Sequence, residues 1–357
     1  MSENAEENPA YDVEVIRNAP FNAESPERSL QKAITPSPNV YVRSNFDIPQ
    51  LDLDHVIEVR GLVDRPVVVT ARELSTLPQR TLITTMECAG NDRLDMRPLP
   101  AGEPWRHGAL STMSWTGVPL DALLARAGVH DGATDVEVGG ADAGPRDDSD
   151  GIVRFARGVP LVEARHPDTL LALAMNGQPL SPSHGAPVRL VVPGWYGMTN
   201  VKWVSYVDVR ATPFTGYFQR ERYVYDYGRN GDAESIHDVE PVTRMRVKSA
   251  IAFPPEGSMV AREFTVEGWA WSGWAPISRV EVAVDGGETW RDAELGQPAS
   301  PYAWTSWRCR VSLAREGRYT LRSRATDETG ETQPATVRWN RLGYGNNAVR
   351  SIVIDAR

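Results

Sequence analysis

Beyond residue 240 the hydrophobic residues of this chain recur at every second position, and helical spacing disappears. Val280, Val282 and Val284 alternate with Glu281, Ala283 and Asp285, and Asp285-Gly286-Gly287 then turns the chain. The runs FTVEGWAW, SRVEVAVD, AWTSWRCRV, RYTLRSRATD and TVRW all read as short strands. A period of two buries one face of each strand, so a β-sandwich is expected over 236–357. Seven of the eleven tryptophans fall in this part, which suits a sandwich core or a subunit interface rather than chemistry.

The preceding stretch mixes periods. Leu120, Leu123, Leu124 and Ala127 recur at helical spacing, with Pro119 before them and Gly128 after, which predicts a helix over about 119–127. Thr70 and Glu73 have the spacing of a capping box for a short helix ending before Pro78. The runs at 56–69, 188–192 and 201–209 read as strands, the first as a pair turning at Asp64-Arg65-Pro66. Helices and strands are thus expected to mix throughout 41–210, giving an α+β protein of two domains, 41–235 and 236–357. Prolines at 9, 20, 26, 36 and 38 make residues 1–40 an extended arm. The polar segment Tyr223–Glu240 is expected to link the halves.

With a net charge of −9, nucleic acid and anionic membranes are not expected partners. No run approaches the roughly 18 apolar residues of a membrane-spanning helix. The N-terminus is acidic and polar and does not resemble a signal peptide. Cytoplasm is therefore the expected compartment, with the periplasm as the alternative if a signal has been removed.

The chain holds two cysteines and six histidines, with neither C-x-x-C nor H-x-x-x-H spacing. Zinc hydrolysis, an iron–sulfur cluster and c-type haem are therefore not expected. Cys88 lies in TTMECAGNDR, among loop-forming residues. A free cysteine is most often a small buried hydrophobe. The alternatives are a nucleophile partnered by His107 or His184, or a soft, charged metal ligand. Gly90 would admit a bulky cofactor, and Arg93 would lower the thiol pKa. His184, Arg189 and Lys202 bracket a strand–loop–strand that Gly194 and Gly197 open. Such a donor set suits phosphate or another anion.

Taken together, the motifs resemble one family. FNAE-x-P at 21–26, ITP at 34–36, VRSN at 42–45, ECAGN at 87–91, WRHGALS at 105–111, AMNGQPL at 174–180, HGAPVRLVVPG at 184–194 and VKW at 201–203 occur in the order found in sulfite oxidase-type molybdenum enzymes. EGWAWSG and VAVDGGETW are similar to that family's immunoglobulin-like dimerisation domain. The resemblance implies a mixed α/β molybdopterin-binding domain followed by an immunoglobulin-like β-sandwich, and a homodimer.

It also implies a molybdenum–molybdopterin cofactor, in which Cys88 is the single protein ligand to the metal and the pterin dithiolene supplies the other equatorial sulfurs. Arg43, Asn45, Asp142, His184, Arg189, Asn200 and Lys202 would hold the cofactor. Arg43, Arg93 and Trp105 would form the substrate pocket beside Cys88. Two departures stand out. The family's pocket tyrosine is replaced near Thr215, with Tyr217 and Tyr223 close by, and the C-terminal arginine candidate, Arg341, is displaced by one position. The implied reaction is oxygen-atom transfer from the molybdenum centre, sulfite to sulfate, with electrons passing to a separate acceptor such as cytochrome c or oxygen. The competing readings are reduction of a sulfoxide or nitrate with the same cofactor, and a cofactor-free scaffold.

Overall fold

The computed structural model describes residues 11–227 and 239–357. Two sheets build the first part. In one, the strands Gln178–Pro179, Leu170–Met175, Leu110–Pro119 and Arg80–Glu87 lie side by side, and Arg189–Val191 also pairs with Leu170–Met175. In the other the order is Val67–Thr70, Val56–Gly61, Val204–Arg210, Asp135–Arg146 and Ser149–Pro160. Only Val56–Gly61 against Val204–Arg210 is parallel in that sheet; the other pairs are antiparallel.

The expected helix runs from Leu120 to Ala127. Its four periodic residues are fully buried, and Gly128 ends it in the left-handed conformation. The capping box is present. The Thr70 hydroxyl accepts from the Glu73 N–H at 3.1 Å, and the Glu73 carboxylate accepts from the Thr70 N–H at 2.8 Å. Helix content is nevertheless lower than the sequence suggests: the α-helices among the described residues are Ala71–Leu74, Leu120–Ala127 and Leu161–Ala164. Between 135 and 160, where no element is expected from the sequence, the chain forms a long hairpin. The strand expected over 201–209 begins only at Val204, because Trp203 takes a positive φ of 55° and interrupts the extended backbone.

The arm is less extended than its prolines suggest. Glu14–Arg17 pairs with Asn22–Glu24, and 3₁₀ turns occupy Glu27–Gln31 and Ser37–Asn39. Short 3₁₀ turns and bends tolerate the prolines that forbid a long helix. The linker expected at Tyr223–Glu240 lies partly outside the described residues. Its ends, Val224–Asp226 and Val239–Pro241, pair with each other.

From Lys248 onward two sheets face each other as expected. Lys248–Phe253, Glu263–Trp271, Thr305–Ser312 and Glu294–Leu295 form one. Met259–Val260, Ser351–Ala356, Gly317–Asp327, Ile277–Ala283 and Arg291–Asp292 form the other. Val266, Val280, Trp307, Leu321 and Ile354 fill the space between them. TVRW is not a strand. Trp339 is held by its indole N–H, which donates to Pro98 O at 2.8 Å, and the sheet is completed by Ser351–Ala356. Trp269 and Trp304 do not fill the sandwich interior. They stack at 4.8 Å between ring centres and donate to Leu30 O and Ala33 O, so they join the sandwich to the arm.

Candidate cofactor and active site

The strand Arg80–Glu87 ends at a buried loop. Cys88 N–H donates to Ala109 O at 2.8 Å, and Asn91 N–H donates back to Cys88 O at 2.9 Å. The Asn91 amide fixes the turn from both sides, accepting from Ala109 N–H and donating to Glu87 Oε1, each at 3.0 Å. These bonds leave the Cys88 sulfur unused. The thiol is free, so it forms no disulfide with Cys309.

Cys88 lines a cleft together with Arg43, Asn45, Asp142, His184, Arg189, Asn200, Lys202 and Tyr223. Every expected cofactor contact is therefore brought to one cavity. Arg93 and Trp105 are not on its lining. Trp105 is fully buried in the cluster behind Cys88. Arg93 is boxed in by main chain, donating to Glu103 O at 2.7 Å and Leu342 O at 3.1 Å, with its guanidinium over Tyr344. Gly90 therefore serves a different purpose from the one expected. A Cβ there would lie 2.6 Å from the Arg93 guanidinium, so the missing side chain makes room for Arg93 itself. Likewise a Cβ at Gly197 would lie 2.5 Å from the Tyr41 hydroxyl.

The cleft walls are tied together by its own cations. Arg189 donates to His184 O at 3.1 Å and to Asn200 O at 3.0 Å, and its guanidinium lies over Trp115. Lys202 donates to Ser44 Oγ at 2.9 Å and Ser183 O at 2.8 Å. Arg43 Nη2 donates to Asn45 Oδ1 at 2.8 Å, and Asn45 Nδ2 donates to the Tyr223 hydroxyl at 3.2 Å. Asn200 is spent on its own loop: Oδ1 accepts from Val192 N–H at 2.7 Å, and Nδ2 donates to Tyr196 O at 3.1 Å.

The electrostatics favour an anion. Three cations face one carboxylate, Asp142, around the cleft. Burial, then Arg189, pulls the Lys202 pKa well below its ordinary value. Burial lowers Arg189 to about 10. Burial raises the Asp142 carboxyl, against the pull of Lys202. A bound anion would reverse the cost these cations carry. Burial also raises the Cys88 thiol, and Arg43 and Arg93 only partly oppose it. Arg93 does pull the thiol down, as expected, but burial outweighs it, which corrects the expectation of a thiol below its free value. In this setting a thiolate needs a metal cation to compensate its charge.

Three lining residues also keep a buried polar atom without a partner: Asp142 Oδ1, His184 Nε2 and Arg189 Nε. Buried polar atoms are normally satisfied, so the set fits a ligand carrying both donors and acceptors. A pterin with an anionic phosphate meets that description, and Cys88 adds a soft donor for a metal.

His184 gives a pH test. Burial, then Arg189 and Lys202, hold its imidazole down at about 3, so it is neutral in the fold. Between about pH 6.5 and 3 the unfolded chain binds the extra proton, and this contribution to stability falls as pH falls. The unloaded protein's stability advantage over His184→Gln should therefore shrink between pH 7 and 4 in thermal denaturation. An advantage that stays constant would contradict a neutral, buried imidazole.

Residues 45–218 match the oxidoreductase molybdopterin-binding domain, and residues 239–356 match the Mo-co oxidoreductase dimerisation domain. The chain belongs to the sulfite oxidase family of molybdenum-cofactor oxidoreductases. It is 35% identical over 351 residues to mouse mitochondrial sulfite oxidase, covering 92% of this chain and 63% of that protein. It is 33% identical over 364 residues to tomato NADH nitrate reductase, covering 92% of this chain and 39% of that one. The chain thus spans under two thirds of the length of these curated relatives. Among solved structures, the sulfane dehydrogenase SoxCD of Paracoccus pantotrophus aligns with a TM-score of 0.79 and 27% identity, over 98% of this chain and 92% of that one.

Within this sulfite oxidase-family fold, the two departures in the sequence resolve differently. Of the two candidates Tyr223, not Tyr217, lies on the cleft, where Tyr41 also lines the wall. Tyr217 turns to Asp148, and Thr215 is exposed. Arg341 points away from the cleft, its Nε donating to Asp226 at 2.6 Å with most of the side chain in solvent. Sequence reasoning missed Ser44 and Ser183, whose oxygens hold Lys202. Ser44 lies within the quoted motif VRSN, and Ser183 immediately precedes HGAPVRLVVPG.

Proposed function

We propose that this chain oxidises sulfite to sulfate and passes the electrons to a separate acceptor. The observation that carries the proposal is the shared cleft: one soft sulfur, three cations and unpartnered polar atoms around one space. Cys88 would ligate molybdenum. Arg189, Lys202, His184 and Asp142 would hold the pterin and its phosphate. When bound, the cofactor supplies oxygen-atom transfer and the two-electron change at the metal.

The chain's own contribution is placement and charge. Arg43, oriented by Asn45, presents a fixed guanidinium to a small oxyanion. Tyr223 accepts from Asn45, which leaves its O–H to donate to the substrate. The apolar cluster behind Cys88, including Trp105 and Trp115, keeps water from the sulfur side. We also propose a homodimer formed through residues 239–356, supported by the matching dimerisation-domain model.

Both the sulfite oxidases and the sulfane dehydrogenase are named for sulfur substrates, which supports sulfite. Two observations favour a second reading, nitrate or sulfoxide reduction. Nitrate reductases match almost as well, and neither Arg93 nor Arg341 reaches the cleft to reinforce Arg43. Steady-state assays decide between them. Loaded protein given sulfite and an artificial acceptor should turn over. Turnover only with nitrate or sulfoxide and an artificial donor would overturn the sulfite reading.

A further inference from the structure

Besides its own main-chain and Asn91 bonds, the loop that carries Cys88 is held by residues more than 150 positions away. Lys248 Nζ lies 2.6 Å from Glu87 Oε1 and 2.5 Å from Asp92 Oδ2, so one ammonium grips both ends of the 87–92 turn. Trp271 Nε1 donates to the other Glu87 oxygen at 3.0 Å. Lys248 and Trp271 sit directly opposite each other on paired strands of the sandwich, so they reach the turn together. Asn346 Nδ2 donates to Asp92 O at 2.9 Å, and Gly345 N–H donates to Ala89 O at 2.7 Å.

Nothing in fold stability calls for this cluster. Lys248, Glu87 and Asp92 are all buried, and apolar residues of similar size often serve a core equally well. What a lysine between two carboxylates adds is a fixed distance between the ends of the turn. Cys88 is the second residue of that turn; its own main chain bonds Ala109 and Asn91, so the sandwich acts on it through the residues on either side.

We propose that Lys248 is a positioning residue for Cys88: through Glu87 and Asp92 the sandwich fixes where the sulfur sits relative to the molybdenum site. The proposal rests on the reading of Cys88 as the metal ligand. The sandwich is then part of the active-site framework as well as a surface for association.

The test compares loaded wild type with the triple variant Glu87→Gln/Asp92→Asn/Lys248→Met, which removes all three charges and leaves no carboxylate unpaired. For spectroscopy each is partially reduced with dithionite, so no substrate is involved there, and turnover is assayed on separate oxidised samples with sulfite and an artificial acceptor. Molybdenum content, the Mo(V) electron paramagnetic resonance spectrum, kcat and KM are then measured. The variant is expected to keep its metal, show shifted g-values and lose about 10–100-fold in kcat, the usual effect of removing an outer-shell partner, with KM moving less. Wild-type g-values together with wild-type kcat would overturn the proposal. Should the triple variant not fold, Lys248→Arg decides: it keeps every charge but alters the span, and a wild-type spectrum in it would overturn the proposal. If the wild-type spectrum is itself unchanged by Cys88→Ser, the ligand reading has failed instead.

Discussion

Cys88→Ser is expected to leave a folded, molybdenum-containing protein with at least about 100-fold less turnover, since a direct ligand should matter more than its outer-shell supports. The fold should survive because the loop is held by main chain and by Asn91, not by sulfur. A hydroxyl placed among Met86, Trp105 and Met113 costs about 1–3 kcal/mol if it finds no partner. That is a modest loss for a chain of this size. Metal should remain because, on the proposed reading, Arg189, Lys202 and His184 would hold the rest of the cofactor. Circular dichroism, metal analysis and steady-state rates check the three parts separately. Undiminished turnover would remove the sulfur from the reaction.

Arg189→Met should have the second largest effect, and it should appear only in the loaded protein. Two opposing terms act on the unloaded chain. The substitution orphans His184 O and Asn200 O, at about 1–3 kcal/mol each. It also removes a buried cation whose pKa has fallen from 12.5 to about 10, which corresponds to about 3 kcal/mol of relieved desolvation. The terms are of similar size, so the unloaded protein's melting temperature should move little. With an anionic cofactor present the cation is no longer a cost. Losing a hydrogen bond to a charged group, about 1.5–3 kcal/mol, weakens binding about 10–100-fold. Molybdenum content after extensive dialysis should therefore fall sharply. Full retention would mean that Arg189 serves the walls and not the ligand.

The amino-acid pattern revealed the parts whose causes are local. The helix at Leu120–Ala127 follows from four periodic residues between Pro119 and Gly128, and the capping box from a three-residue spacing. Most sandwich strands were visible because alternation is a local property. The cleft residues were legible because they fall in short, ordered motifs. What stayed hidden depends on distant chain. Arg93 was read as a free cation, but carbonyls at 103 and 342 hold it. Gly90 and Gly197 read as gaps for a ligand, yet each makes room for a side chain of the protein. Arg341 is one position from its expected place, and that suffices to turn it toward Asp226. Lys248 offered no signal, since its partners lie 161 and 156 positions earlier in the chain. The same holds for Trp271, which bonds Glu87 next to the proposed ligand although the tryptophans of this part suggested packing alone.

The most direct measurement is anaerobic mixing of fully loaded protein with sulfite and then with a limiting amount of a one-electron acceptor such as ferricyanide, which takes one electron back from the two-electron-reduced centre, followed by electron paramagnetic resonance at molybdenum. A Mo(V) signal that sulfite elicits, and that Cys88→Ser alters or abolishes, is the predicted result. A centre that dithionite reduces but sulfite leaves silent, or a signal indifferent to the residue at 88, would contradict sulfite oxidation at a cysteine-held metal.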